Sequence, residues 1–455
     1  MINIRLINYL ILVILLPSLS FAQTAFNIRP MSFVKHKTAG GIWHINEKGS
    51  TTIAGLGISA NARLNSWSVS GTFIAMGITG KIHGKLFDFS PEQGLPFLDS
   101  SRDGSTHWVE YATTKITYDR PNFTFSFGKF DRHWGPGTRS LIISNKPPAY
   151  PQFGFEWELT SKLDFSYFHG FLNSQIPDSS KNVYYNEIGK RSFDVPRSIA
   201  AHRLEWTPYP NLILGVNESV VYASRQVDFQ YLMPFISLWH MENHLGDVDN
   251  AQVGIDVNWR IKPKSKVYFS LYIDEWTPEW TFNKSNHNWF GWQFGFAWTE
   301  LFMKSDKLEA EFTWTDHRIY RHRFSINDYY SHGYPLGFWA GPHAQELFIK
   351  YEKSFHNYGL TITYSDVTRG ELTEEMLENQ YEDFLYNRFS GSSENRMVIE
   401  VLIQRSFIKD QLGVQAGVEF IRWKNPGFDP YKLDLSLGED IEKLSISIGI
   451  YYNIK

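Results

Sequence analysis

Apolar and polar residues alternate with period two in segment after segment of this 455-residue sequence, and the connections between those segments alternate between short and long. Past the N-terminus no apolar run approaches the roughly 20 residues that a helix needs to cross a bilayer. Together these features predict an all-β fold: a transmembrane antiparallel β-barrel of about 18 strands, with short periplasmic turns, long extracellular loops and plug helices in the lumen.

The alternation is clearest near the C-terminus. Leu444, Ile446, Ile448, Ile450, Tyr452 and Ile454 share one parity, with Ser445, Ser447, Gly449 and Asn453 on the other. Period two places each set on one face of a strand. Leu412 to Phe420 and Val267 to Ile273 repeat the pattern. In 290–298, Phe290, Trp292, Phe294, Phe296 and Trp298 share a face, which is costly in water and natural against acyl chains. Phe294 is therefore expected to face lipid, and Gln293 to face the interior and tolerate arginine.

The strand candidates run from 39–47 at the start, through 53–63, 66–79 and 107–119, to 442–454 at the end. Asp119-Arg120-Pro121, Pro208-Tyr209-Pro210 and Lys262-Pro263-Lys264 are short connections; 80–106, 131–153, 223–250, 317–343 and 367–393 are among the long ones. If both termini are periplasmic, the strand number is even and every long loop follows an upward strand. Starting upward at 39–47 meets that condition throughout. The expected organisation is a signal peptide at 1–22, an N-terminal periplasmic segment at 23–38 and the barrel at 39–455. The signal rests on Arg5, the apolar run Tyr9 to Leu16, and the small residues of Ser20-Phe21-Ala22 before the cut.

Composition narrows the function. With no cysteine there is no disulfide, thiol nucleophile or cysteine-bound metal, and a net charge of −4 gives no footprint for nucleic acid. Aromatic residues make up 16% of the chain against 42% hydrophobic residues in all, with 33 glycines, which suits a wall with lipid on one side and polar groups on the other.

The most distinctive stretch is Gly128 to Pro151, GKFDRHWGPGTRSLIISNKPPAYP. Trp134-Gly135-Pro136-Gly137 is a stiff turn, since proline fixes φ and glycine admits φ > 0. Asp131 and Arg132 precede it, Arg139 follows, and Ser144-Asn145 closes it. Such a segment is either an ordered loop folded onto the barrel wall or a ligand-contacting loop, in which tryptophan stacks on a sugar ring while Arg and Asn bond hydroxyls.

This stretch resembles the signature region of the Wzi family of capsule assembly proteins. Similar segments follow in order: His202-Arg203-Leu204-Glu205; Glu242 to Asp256, with Asp249, Asn250 and Asp256; and Tyr330 to Pro342, with Leu336, Gly337, Gly341 and Pro342. The likeness spans roughly 120 to 345, while residues 1–110 match in general character only. It implies an 18-stranded barrel with a blocked lumen at the surface of a diderm outer membrane, and a lectin-like rather than enzymatic role. The partners it implies are outer-membrane lipid, capsular or other surface polysaccharide and the barrel-assembly machinery, for a monomer that needs no cofactor.

Further candidates lie in the loops. His317, Arg318, Arg321, His322 and Arg323 form a basic cluster, either a solvated face or an attractor of acidic glycan. With Arg132, Trp134, Arg139, Asn145, Tyr330 and Trp339, the three arginines make the candidate polysaccharide site. Residues 228–243 and 372–387 carry apolar residues at helical spacing and are the expected plugs. Asp247, Asp249 and Asn250 lack EF-hand spacing, so no metal site is expected. No G-x-S-x-G, HExxH or P-loop occurs, and Glu156 with Glu158 reads as lumen polarity. The competing readings are a nutrient channel and, behind it, an outer-membrane hydrolase.

Overall fold

The computed structural model describes residues 25–39, 49–80, 89–95, 99–100, 105–181, 192–281, 288–373, 375–376, 388–389, 391–407, 411–431 and 439–453. The expected signal peptide lies outside them. Eighteen antiparallel strands form the wall. They are β1 (Ala25–Lys37), β2 (Thr51–Leu64), β3 (Trp67–Thr79), β4 (Thr106–Arg120), β5 (Phe123–Phe130), β6 (Tyr150–Thr160), β7 (Leu163–Pro177), β8 (Asp194–Tyr209) and β9 (Leu212–Ala223). The second half comprises β10 (Asn250–Lys262), β11 (Ser265–Glu275), β12 (Trp289–Thr299), β13 (Asp306–Thr315), β14 (Ala344–Phe355), β15 (Tyr358–Gly370), β16 (Ser393–Phe407), β17 (Leu412–Lys424) and β18 (Ile441–Asn453). Each pairs with its neighbours in sequence, and β1 pairs with β18 from Met31↔Asn453 to Lys37↔Ser447. The sheet thereby closes and has no free edge. Among the described residues no helix is long and apolar enough to cross a membrane.

The first strand is Ala25–Lys37, within the segment expected to precede the barrel. Of 39–47, only Ala39 is described, and it sits in a bend. Ser32 and His36 on the parity of Phe26, Ile28 and Val34, with Pro30 among them and Met31 and Phe33 on the other face, mask the alternation. What makes this segment a strand is pairing on both sides, which no local pattern records.

The turns at one end are short because their residues close them. Asn65 takes φ 53° in the turn between β2 and β3. Between β12 and β13 the Asp306 carboxylate accepts from the amides of Leu301, Phe302 and Met303 at 2.8, 3.1 and 2.7 Å. All the long connections emerge at the opposite end. Side-chain parity follows the sequence: Phe294 on β12 is half exposed on the outer wall, whereas Gln293 is buried inside.

Among the described residues the lumen is filled by two irregular segments and not by helices. Trp134, Leu141, Ile142 and Ile143 of residues 131–149 pack against Ile319, Tyr320, Tyr329, Leu336 and Phe338 of residues 316–343. Inward wall residues such as Phe168, Tyr272 and Trp289 complete this core. The plug expected at 228–243 is elsewhere. It forms a single 3-10 turn, Phe229–Leu232, and a short helix α1, Leu238–Leu245, and both pack on the outer wall. Its apolar residues recur at helical spacing because they face the barrel from outside, a side that periodicity alone cannot distinguish from the lumen. Most of the other expected plug, 372–387, lies outside the described residues.

Candidate functional site

The Gly128 to Pro151 segment enters the barrel from the end of β5 and folds back on itself. The Trp134 amide donates to the Ile143 carbonyl at 2.9 Å, and the indole meets Phe168 edge-on at 5.1 Å. Gly135 takes φ 108°. At Gly137 a Cβ would stand 2.2 Å from Gln293 Oε1 and 2.9 Å from Glu311 Oε1, so any larger residue would displace the two side chains that anchor the turn to the wall. There Glu311 accepts from the Thr138 amide at 2.5 Å and the Arg139 amide at 2.9 Å, and Gln293 Nε2 donates to the Arg139 carbonyl at 2.6 Å.

Residues 316–343 are tied to this turn by their own glycines and aromatics. Ser144 donates through its amide to Leu336 O at 2.7 Å and through its hydroxyl to Gly337 O at 2.5 Å. Tyr320 donates to Leu141 O at 2.5 Å and accepts from the Phe338 amide at 3.0 Å. A Cβ on Gly337 would lie 2.4 Å from that hydroxyl, which explains the glycine. Gly341, at φ 79°, and Pro342 turn the chain into β14.

Most of the candidate side chains serve this framework. Arg132 is buried, bonds Gln152 Oε1 at 2.7 Å and lies 4.3 Å over the Phe168 ring. Arg139 lies 4.5 Å over Phe348. Trp339 is buried and donates to Glu346 at 2.7 Å. Asn145 is exposed. Asp131 accepts from Gln93 at 2.7 Å. The basic cluster is divided: Arg318 is paired to Asp316 at 2.9 Å, Arg321 is buried over Tyr431, and Arg323 pairs with Asp247 at 3.0 Å. Asp249 binds Arg225 at 2.5 Å, Asn250 donates to Asn327 O at 3.0 Å, and Asp256 pairs with Arg203 at 2.6 Å in the lumen.

Tyr330, Trp339, Gly341 and Pro342 do converge. With Tyr334 and Tyr431 they border a depression of about 420 Å³ at the loop end, directly above the plug. Asp328 also faces it, its carboxyl pushed up to about 6 by burial, against the pull of the His322 amide, Arg321 and Arg197. Burial likewise raises the Tyr330 and Tyr431 hydroxyls. Arg197 frames the depression and is committed to the carbonyls of Ser325, Ile326 and Tyr330. The result is a cleft of ring faces and hydroxyls with the Asp328 carboxyl among them. Sequence reasoning reached Tyr330 and Trp339 but missed Tyr334, inside the same motif, and Tyr431, which opens an alternating run, Tyr431 to Leu437, whose pattern carries no hint of a site.

A second cavity, of about 530 Å³, opens below the plug toward the short turns and is lined by Glu156, Glu158, Asp164 and Arg203. Glu156 and Glu158 are thus lumen residues, as their spacing suggests. Among the described residues no group of acidic, histidine or cysteine side chains could hold a metal ion.

Residues 109–432, well over half of the chain, match the family described as "Capsule assembly protein Wzi". Among solved structures, the Escherichia coli outer-membrane protein Wzi, described as involved in group 1 capsule assembly and as a carbohydrate-binding β-barrel, aligns over 93% of this chain and 83% of its own. The identity is 15% and the TM-score 0.56, a likeness of fold. Pseudomonas aeruginosa OccK7 (OpdD) aligns over 95% of this chain and 99% of its own at 9% identity and TM-score 0.49. OccK8 (OprE) of the same organism gives 95%, 98%, 8% and 0.49. Comparison with curated proteins finds no match.

Proposed function

The chain belongs to the Wzi family of capsule assembly proteins, and from that premise we propose that it holds capsular polysaccharide in the aromatic depression above its plug. It is an outer-membrane barrel whose long loops lie at the cell surface. The observation that carries the proposal is the depression itself. The family segment Tyr330 to Pro342 supplies three of its aromatic residues, and Tyr431 supplies a fourth. Ring faces pack against the C–H faces of sugars, while tyrosine hydroxyls and the Asp328 carboxyl pair with sugar hydroxyls. Each contact is weak, so retention of a long polymer rests on many loop contacts acting at once. The plug favours this role over a channel, because the apolar core of residues 131–149 and 316–343 fills the lumen between the two cavities. In this reading the protein acts without chemistry, as a monomer inserted by the barrel-assembly machinery.

Purified full-length protein and capsular oligosaccharides test the proposal by calorimetry. Replacing both Tyr330 and Tyr431 with alanine removes two faces at about 0.5–1.5 kcal/mol each, an expected loss of about five- to 100-fold in affinity. The paired phenylalanine variants keep the faces and should lose less. Unchanged binding in a correctly inserted double-alanine protein would remove the depression from the site.

A further inference from the structure

The outer wall is interrupted by polar residues where a lipid-facing surface should be apolar. On β8 the outward series Ala200, His202, Leu204, Trp206 contains a histidine, and on β9 the series Leu214, Val216, Glu218, Val220 contains a carboxylate. Tyr167 and His169 of β7 and Tyr222 of β9 point the same way. Charged residues on that face cost most near mid-membrane, and an irregular backbone in hydrocarbon leaves its own polar groups unpaired. Here the two problems cancel.

Residues 228–245 leave the loop end after β9 and lie down over β7–β10 as a strap. Its backbone polar groups meet the exceptional wall side chains one by one. Tyr222 OH accepts from the Asp228 amide at 3.1 Å, and Tyr167 OH donates to Tyr231 O at 2.8 Å. His202 Nδ1 donates to Pro234 O at 3.0 Å, and Glu218 accepts from the Leu238 amide at 2.7 Å and the Ser237 hydroxyl at 2.9 Å. Tyr231, Leu238 and Met241 bury their side chains against Ala200, Val220 and Tyr222. Phe235 stacks on Phe165 at 4.9 Å and touches Trp157 at 6.3 Å. Those two residues flank the short turn at 161–162, so the strap runs far down the wall from the loops it leaves.

Its other side is apolar and uncovered: Phe235 is 64% exposed and Ile236 37%. They continue the exposed belt of Trp157, Leu204, Trp206 and Val216 on the wall beneath. We propose that this edge of the strap is immersed among the acyl chains of the surrounding membrane, making residues 228–245 a lipid-embedded brace on the barrel. The exposed face of α1 carries His240 and His244 and lies at the headgroup level.

The chain has no cysteine, so single thiols report without background. Phe235→Cys, Ile236→Cys, His240→Cys and, on the bare wall, Phe294→Cys would each carry a fluorescent label in proteoliposomes of brominated or ordinary phosphatidylcholine. Labels at 235 and 236 should be quenched by brominated chains as strongly as the label at 294. The label at 240 should respond to aqueous iodide instead. Ile236 contributes no bond to the wall, so its variant tests the proposal even where Phe235→Cys loosens the strap; heat-modifiable gel mobility confirms insertion. Iodide quenching at 235 and 236 without lipid quenching would overturn the proposal. So would protection from both quenchers with disulfide-linked dimers, which would assign the face to a second copy of the chain.

Discussion

Glu311→Ala should open the lumen. The Glu311 carboxylate stands on the inner face of β13, where it accepts from the Thr138 amide, the Arg139 amide and the Tyr268 hydroxyl at 2.5, 2.9 and 2.6 Å. Removing it leaves one buried donor, the Tyr268 hydroxyl, and two part-buried amides without this acceptor, and each such loss costs up to about 1–3 kcal/mol. Water entering with the loosened turn offsets part of that. A net weakening of about 3 kcal/mol shifts the ratio of docked to undocked plug roughly 100-fold, since each 1.4 kcal/mol is tenfold. The Trp134–Ile143 pairing and the Gln293 bond to Arg139 O persist, so the barrel should assemble with an intermittently open pore. Planar-bilayer recording should show a silent native protein and frequent openings in the variant. If inserted, heat-modifiable Glu311→Ala protein is as silent as the native chain, these bonds do not hold the plug.

Phe294→Arg, on the outer wall, should cost about 2–4 kcal/mol in reversible unfolding from lipid if it sits near the midplane. Asp256→Ala removes the bonds of 2.6 and 2.9 Å that hold the buried Arg203 guanidinium and leaves it Glu205 alone, at 2.7 Å, and should cost about 1–3 kcal/mol by the same assay. Residues 316–343 should loosen in acid. Burial depresses His317, His332 and His343 to about 4, below the usual 6.5, and His343 is fixed as a neutral ring between Glu371 O and the Phe389 amide. Groups held neutral in the fold contribute stability above pH 6.5 and lose it as pH falls from there through 4; Asp328, raised to about 6, opposes them as one group against three. Hydrogen exchange across 316–343, corrected for intrinsic rates, should be faster at pH 4.5 than at pH 7, and equal protection would refute the assignment.

The sequence by itself determined the barrel, its strand number and which side chains face out. Period two is imposed by backbone geometry, and a wall with lipid on one side writes that period into residues such as Phe290 to Trp298. The glycines of Trp134-Gly135-Pro136-Gly137 marked a stiff turn, but the plugs were expected at 228–243 and 372–387; a Cβ at Gly137 would meet Gln293 and one at Gly337 would meet Tyr320 and Leu141, contacts that no local pattern records. Tertiary structure decided the rest. Gln293 was legible as inward, but nothing in its neighbourhood says that its amide anchors Arg139, 154 residues away, which makes it a poor site for arginine. The three loop arginines share a sequence cluster, yet Arg318, Arg321 and Arg323 have different partners, because each pairs with whatever the fold brings near. Ala25–Lys37 became a strand only through closure against β18. Residues 228–245 show the limit most plainly. An amphipathic pattern states that one face is buried, and only the assembled wall, with Glu218 and His202 pointing outward, decides that the burying surface lies outside the barrel and not within it.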